Sequence, residues 1–320
     1  MRYVFAVAED TYCCWDQELP QHNASFLATL DGDYFTYLAN VHLSELEGEN
    51  RQRAAVSLRT AYHHGVETLF SLLGAMAQAP DAVPAWLPRC LTPNLREVVQ
   101  CLSSGRPLLT QRGRQSLRFE DLAAITHQYC WVTETPPNST ASRFATLWRR
   151  LAHELLDERN VFEYNSIKHG FRVGAGGFTL RIGEEVEYGV RAPEANMHTV
   201  GSSPFGTRFF VPLPLRSDGE SKFHFILKHS SLNWRAEAMA QRLQLIAFSI
   251  KNVVGCLRCM VGAPPDTIQF FRPEDPQAFE AAWQWSVGMF ASDFSSTFAA
   301  DEIVFDSRAA LLSELEARAE

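Results

Sequence analysis

The chain has 320 residues, 46% of them hydrophobic and 21% charged, and a formal net charge of -8. That balance excludes wholesale disorder, and the length suits one large domain or two ordinary ones. The acidic excess argues against a generally basic nucleic-acid binder, so any phosphate contact has to be local.

No uninterrupted apolar run approaches the roughly 18 residues that a membrane-crossing helix needs, so no membrane contact is expected. The apolar start Tyr3 to Ala8 meets Glu9 and Asp10 too early for a signal-peptide core. Cys13, Cys14, Cys90, Cys101, Cys130, Cys256 and Cys259 are odd in number and scattered, which reads as reduced thiols in a cytoplasmic protein.

In chain order, Tyr3-Val-Phe-Ala-Val7 predicts a strand, and Tyr34 to Ala39 either a strand or a helical turn. From Glu49 to Gln78, Leu58, Tyr62, Val66, Leu69, Leu73 and Met76 recur at spacings of three and four, one apolar stripe along a long helix. Pro80, Pro84 and Pro88 end it. Thr92-Pro93 is read as an N-cap followed by proline at the first position of a helix to Ser103. Another helix is expected over 119–129. After the loop Thr135 to Thr140, a second long helix is predicted over 141–169, with Phe144, Leu147, Trp148, Leu151, Leu155, Phe162 and Ile167 on its apolar face and Gly170 as its C-terminal cap.

The period then changes. Residues 177–182, 186–191, 208–211 and 222–228 read as strands, the first two joined at Gly183 to Glu185 and the last two at Ser217 to Glu220. A third long helix is predicted over 234–260, with shorter ones near 276–290 and 308–317. The expected fold is therefore α+β and mainly α: a long-helix bundle with a small antiparallel β insertion. Residues 1–320 are expected to form one integrated domain, with 49–169 and 234–290 as the bundle and 171–230 as the insertion.

One stretch, Arg159 to Arg172, stands out chemically. Asn165 and His169 are four apart on one helix face, Lys168 adjoins them, and Arg172 follows the glycine. An imidazole can move protons near neutral pH, an amide can orient it, and Lys and Arg can hold a phosphate. The same residues also have a purely structural reading, because cations in a helix's last turn complement its dipole.

Asn165-x-x-Lys168-His169-Gly170-x-Arg172 resembles a stretch found in bacterial helical proteins related to the HEPN superfamily. Ala61-Tyr-His-His-Gly-Val-Glu67 resembles the Ala-Tyr-x-x-x-x-Glu pattern on the opening helix of such domains. The resemblance implies a helical bundle that dimerises. Active members of the superfamily are metal-independent ribonucleases of toxin–antitoxin and phage-defence systems; others are inactive binding modules. Active members carry Arg, four to six residues, then His. His169 has no arginine at that spacing, and the formal matches Arg59–His64 and Arg191–His198 are of the number expected by chance.

Two functions follow as expectations. In the first, His169 is the acid or base on a ribose 2'-hydroxyl, Lys168 and Arg172 neutralise the phosphate, Asn165 orients, and two chains meet as a homodimer. No cofactor or metal is required. In the second, the chain is a non-catalytic helical binding module for RNA, a nucleotide, or a protein partner such as an antitoxin. Other constellations are read as structural: His63 with Glu67 and Arg149 with His153 and Asp157 as solvated or partner-facing sides, Cys256-x-x-Cys259 as buried thiols, Gly174 to Gly177 as a turn, and Arg112, Arg114 and Arg118 as a solvated basic loop.

Overall fold

The structure, a computed structural model, describes residues 2–170, 172–215, 223–284, 290–295 and 303–318. Its class is α+β with helix predominating. The chain begins with a hairpin of β1 (Arg2–Val7) and β2 (Asp10–Trp15). Helices α1 (Leu19–Thr29), α2 (Tyr34–Ser44), α3 (Arg51–Gln78), the single turn α4 (Val83–Trp86) and α5 (Thr92–Ser104) follow. A second hairpin, β3 (Pro107–Thr110) and β4 (Gly113–Ser116), leads to α6 (Phe119–Thr126), α7 (Thr140–Leu156) and α8 (Glu158–Lys168). Strands β5 (Val173–Ala175), β6 (Phe178–Gly183), β7 (Met197–Ser203), β8 (Gly206–Pro214) and β9 (Phe225–Asn233) come next. The chain ends with α9 (Ala236–Met260), α10 (Ala278–Gln284), β10 (Phe290–Phe294) and α11 (Arg308–Ala317).

Patterning predicts one integrated domain over 1–320. In space the chain divides into two compact units, Met1–Tyr164 with Ala236–Ser286, and Asn165–Arg235 with Val287–Glu320.

In the first unit α3 lies against α9 and α2. All six residues of its predicted apolar stripe are buried. Trp86 is fully buried and donates its indole N–H to the Ala6 carbonyl at 2.9 Å, tying α4 to β1. Its ring fills the space over Gly74, where an added Cβ would come within 2.7 Å of it. Trp148 on α7 donates to Ser249 Oγ on α9 at 3.0 Å. Among the described residues α9 alone is long and apolar enough to cross a bilayer, but most of it is buried within the protein. His127, just past α6, is stacked on Phe144 with ring centroids 4.8 Å apart. Its Nδ1 lies 2.8 Å from the Ala123 carbonyl and its Nε2 3.2 Å from Asn252 Nδ2. One nitrogen donates and the other accepts, which is the neutral tautomer. Burial accordingly pushes the His127 pKa down to about 4.

In the second unit a four-stranded antiparallel sheet has the order β10-β9-β8-β5. One face buries Phe209, Val211 and Leu232, with Leu213 and Ala291 packed against them. β6 and β7 form a separate hairpin.

Several boundaries depart from the patterning. The helix expected over 141–169 is interrupted at Asp157, which is extended (φ -66°, ψ 122°). Asp157 Oδ1 accepts the Arg159 amide at 2.8 Å, so it acts as the N-cap of a new helix. Beyond the break the inward face changes, and Phe162 is exposed while Glu163 is buried. The strand expected over 186–191 does not form. Val186 and Tyr188 are exposed there, Gly189 has φ +79°, and β6 pairs with β7 instead. The turn expected at Ser217 to Glu220 lies outside the described residues. The helix expected near 276–290 is α10, which is shorter, and Phe290 begins a strand. At α5 the extended cap residue is Leu91, with Thr92 already helical.

Candidate functional site

Arg59 and His63 lie four apart on α3, and Glu67 lies four further on, so the three form one polar stripe. On α8, Asn160, Glu163 and Tyr164 form a matching stripe at spacings of three and one. Arg59 Nε and Nη2 donate to Glu163 Oε2 at 2.9 and 2.6 Å, and His63 Nε2 lies 2.9 Å from the same oxygen. Arg59 Nη2 also donates to Asn160 Oδ1 at 3.1 Å, and Tyr164 donates its hydroxyl to Glu67 Oε2 at 2.7 Å. The His63 and Tyr164 rings stack at 5.1 Å.

This seam is dry. Arg59 and Glu163 are 0% exposed and His63 8%. Burial alone raises a carboxyl's pKa, but the Arg59 charge and the His63 hydrogen bond outweigh it and hold Glu163 well below the usual carboxylate range. Burial, helped by the Arg59 charge, lowers the His63 pKa, so His63 is a neutral donor to Glu163. A second group adjoins. Glu154 accepts from the Tyr62 hydroxyl, from Arg242 Nη1 at 3.2 Å and from Trp283 Nε1 at 3.1 Å, while its backbone carbonyl accepts from Asn160 Nδ2 at 2.9 Å. Burial and Glu154 push the Tyr62 hydroxyl well above its usual pKa. The Arg59 charge is matched by Glu163 in full burial, and Arg242 by Glu154, so the chemistry at this point is that of a structural clamp joining α8 to α3. The expectation that His63 and Glu67 form a solvated or partner-facing side is corrected: α8 of the same chain covers that side of α3. The four-residue spacing of Arg59, His63 and Glu67 was visible in the sequence, but nothing in it marked Glu163 as their counterpart.

The predicted residues lie at the far end of α8 and beyond it. The His169 amide donates to the Asn165 carbonyl at 3.1 Å, closing the last turn. Gly170 then takes φ +66°, the left-handed cap that its position predicts. Asn165, Lys168, His169 and Arg172 are all exposed. The structure thus presents them along one short stretch of surface. No side-chain hydrogen bond to the His169 ring occurs among the described residues. Arg172 immediately precedes β5, the edge strand whose Gly174 pairs with Arg208 of β8.

The remaining constellations are resolved by their partners. Arg114 pairs with Glu9, and Arg149 with Glu120. Arg112 lines a cleft of about 290 Å³ with Asp81, Met76 and Met260. Cys256 is buried, its thiol directed at the Ile125 carbonyl at 3.5 Å and its pKa pushed up to about 12 by burial. Among the described residues no cluster of three His, Cys, Asp or Glu side chains suits a metal ion. Comparison with family models, with curated proteins and with solved structures finds no match to this chain.

Proposed function

We propose that the chain is a HEPN-like RNA-binding protein that holds phosphates with Lys168, His169 and Arg172, on a scaffold in which α3, α7 and α9 act as a long-helix bundle. The observation that carries this reading is the joint exposure of Asn165, Lys168, His169 and Arg172 at the end of α8 and the head of β5. Binding is the reading put forward because exposed cationic side chains suffice to hold a phosphate. Glu163, buried further up the same helix, is fully engaged by Arg59 and His63 and takes no part in binding.

The test is RNA affinity as a function of salt. Lys168→Ala/Arg172→Ala should weaken binding of a labelled RNA across sequences and reduce the slope of log K against log salt by about 2, one per lost phosphate contact. Unchanged affinity and slope in a folded double variant would remove this segment from the interface.

A further inference from the structure

The second face of the β10-β9-β8-β5 sheet is buried at the end that holds Asn233 and Ser231 and open at the other. At two-residue spacing it carries Phe210 (61% exposed), Phe225 (52%), Leu227 (55%) and Phe294 (67%). The register sets Phe210 opposite His229, and His229 opposite Phe294. Three rings therefore form one row across three strands, with centroids 5.2 and 6.5 Å apart. On the next rung stand Arg208, Ser231 and Ser292.

The charges on this face are one-sided. None of the described residues of β5, β8, β9 or β10 places a carboxylate on it. Asp293 belongs to the opposite face, where it pairs with Lys228 at 2.7 Å and accepts from Ser230 at 2.7 Å. Arg208 is exposed and its Nη2 donates to the Gly177 carbonyl at 3.3 Å, which leaves further donors on the guanidinium. A row of rings whose outer members Phe210 and Phe294 are exposed and whose middle member His229 is half-buried, flanked by a guanidinium and with no acid on these strands' described residues, complements planar bases on an anionic backbone. Duplexes hide their base faces in the stack, so the complementary form is a single strand.

We propose that this sheet face is a stacking platform for single-stranded RNA, with bases on Phe210, His229 and Phe294 and the backbone near Arg208. The proposal rests on the RNA-binding reading of the Lys168–Arg172 segment, which leads directly into β5 of this same sheet. It adds the form of the RNA and a second set of contacts.

The experiment uses the full chain and fluorescence anisotropy, with a labelled oligouridylate of about 12 nucleotides and a duplex RNA as probes. Phe210→Ala/Phe294→Ala replaces exposed rings, and circular dichroism checks that the fold is kept. Oligouridylate should bind about tenfold more weakly or worse, with the salt slope unchanged. Phe210→Tyr/Phe294→Tyr should restore affinity, because the rings return. Lys168→Ala/Arg172→Ala should weaken both probes and lower the slope. If the alanine pair at Phe210 and Phe294 binds as the wild type does while the Lys168 and Arg172 variant loses affinity, the platform is refuted and the phosphate-binding segment stands. The reverse pattern upholds the platform and removes the segment. A wild-type chain that binds neither probe overturns both. Light scattering that shows the phenylalanine variant turning a dimer into a monomer, with RNA affinity unaltered, assigns the face to a second copy and overturns the platform.

Discussion

Glu163→Gln is the sharpest perturbation of this fold. The substitution preserves shape and leaves a carbonyl oxygen able to take the place of Oε2, so hardly any packing is lost. What disappears is the negative charge that faces Arg59, which is 0% exposed and hydrogen-bonded to Glu163 at 2.9 and 2.6 Å. Removing one member of a buried pair leaves the other charge uncompensated, a loss of about 3–5 kcal/mol. Domain stabilities are about 5–15 kcal/mol, so the variant should be much weakened but still foldable. Replacing both partners, as Arg59→Met/Glu163→Leu, removes the desolvated charges together and should lie far closer to wild type than the sum of the single losses. Urea unfolding followed by tryptophan fluorescence, which reports on the buried Trp86 and Trp148, gives the free energies. Strictly additive single and double effects, or a Glu163→Gln loss under about 1 kcal/mol, would refute the clamp.

Three further outcomes are expected. His127 has a folded pKa near 4 against about 6.5 unfolded, so the unfolded state binds more protons between those values; stability should be complete above pH 6.5 and fall by about 3 kcal/mol as pH drops to 4, and His127→Gln should flatten that slope in a urea series over pH. Gly74→Ala should destabilise by about 1–3 kcal/mol in thermal unfolding, because its Cβ would meet the Trp86 ring, whereas an unchanged or raised melting temperature would show that α4 yields readily. Wild-type chain should bind labelled RNA without cutting it; cleavage that survives EDTA and vanishes in His169→Ala would make His169 a catalytic residue.

The long helices α3 and α9 were legible because an apolar stripe repeated over many turns outweighs local irregularities. The interruption at Asp157 was not, since the apolar residues on either side continue at helical spacing and only the side-chain cap reveals the restart. Gly170 was read correctly from one residue type in one place, as its positive φ requires. The Lys168–Arg172 segment was legible as a concentration of cations, but not its exposure. Glu163 was illegible as a partner because its meaning depends on two residues about a hundred positions earlier. The aromatic row was missed because Phe210, His229 and Phe294 lie on three strands, and only the register makes them neighbours.

Pro212 and Pro214 lie on β8 beyond the three residues that β5 covers, so that margin of the sheet has no second neighbour among the described residues. Each lacks an amide hydrogen and so cannot donate to a strand on that open side. A strand arriving from another molecule would find two of its carbonyls without a donor, and the ladder could not propagate. That stretch of β8 is therefore closed to strand addition, which confines any backbone pairing with another chain to the outer edges of β5 and β10.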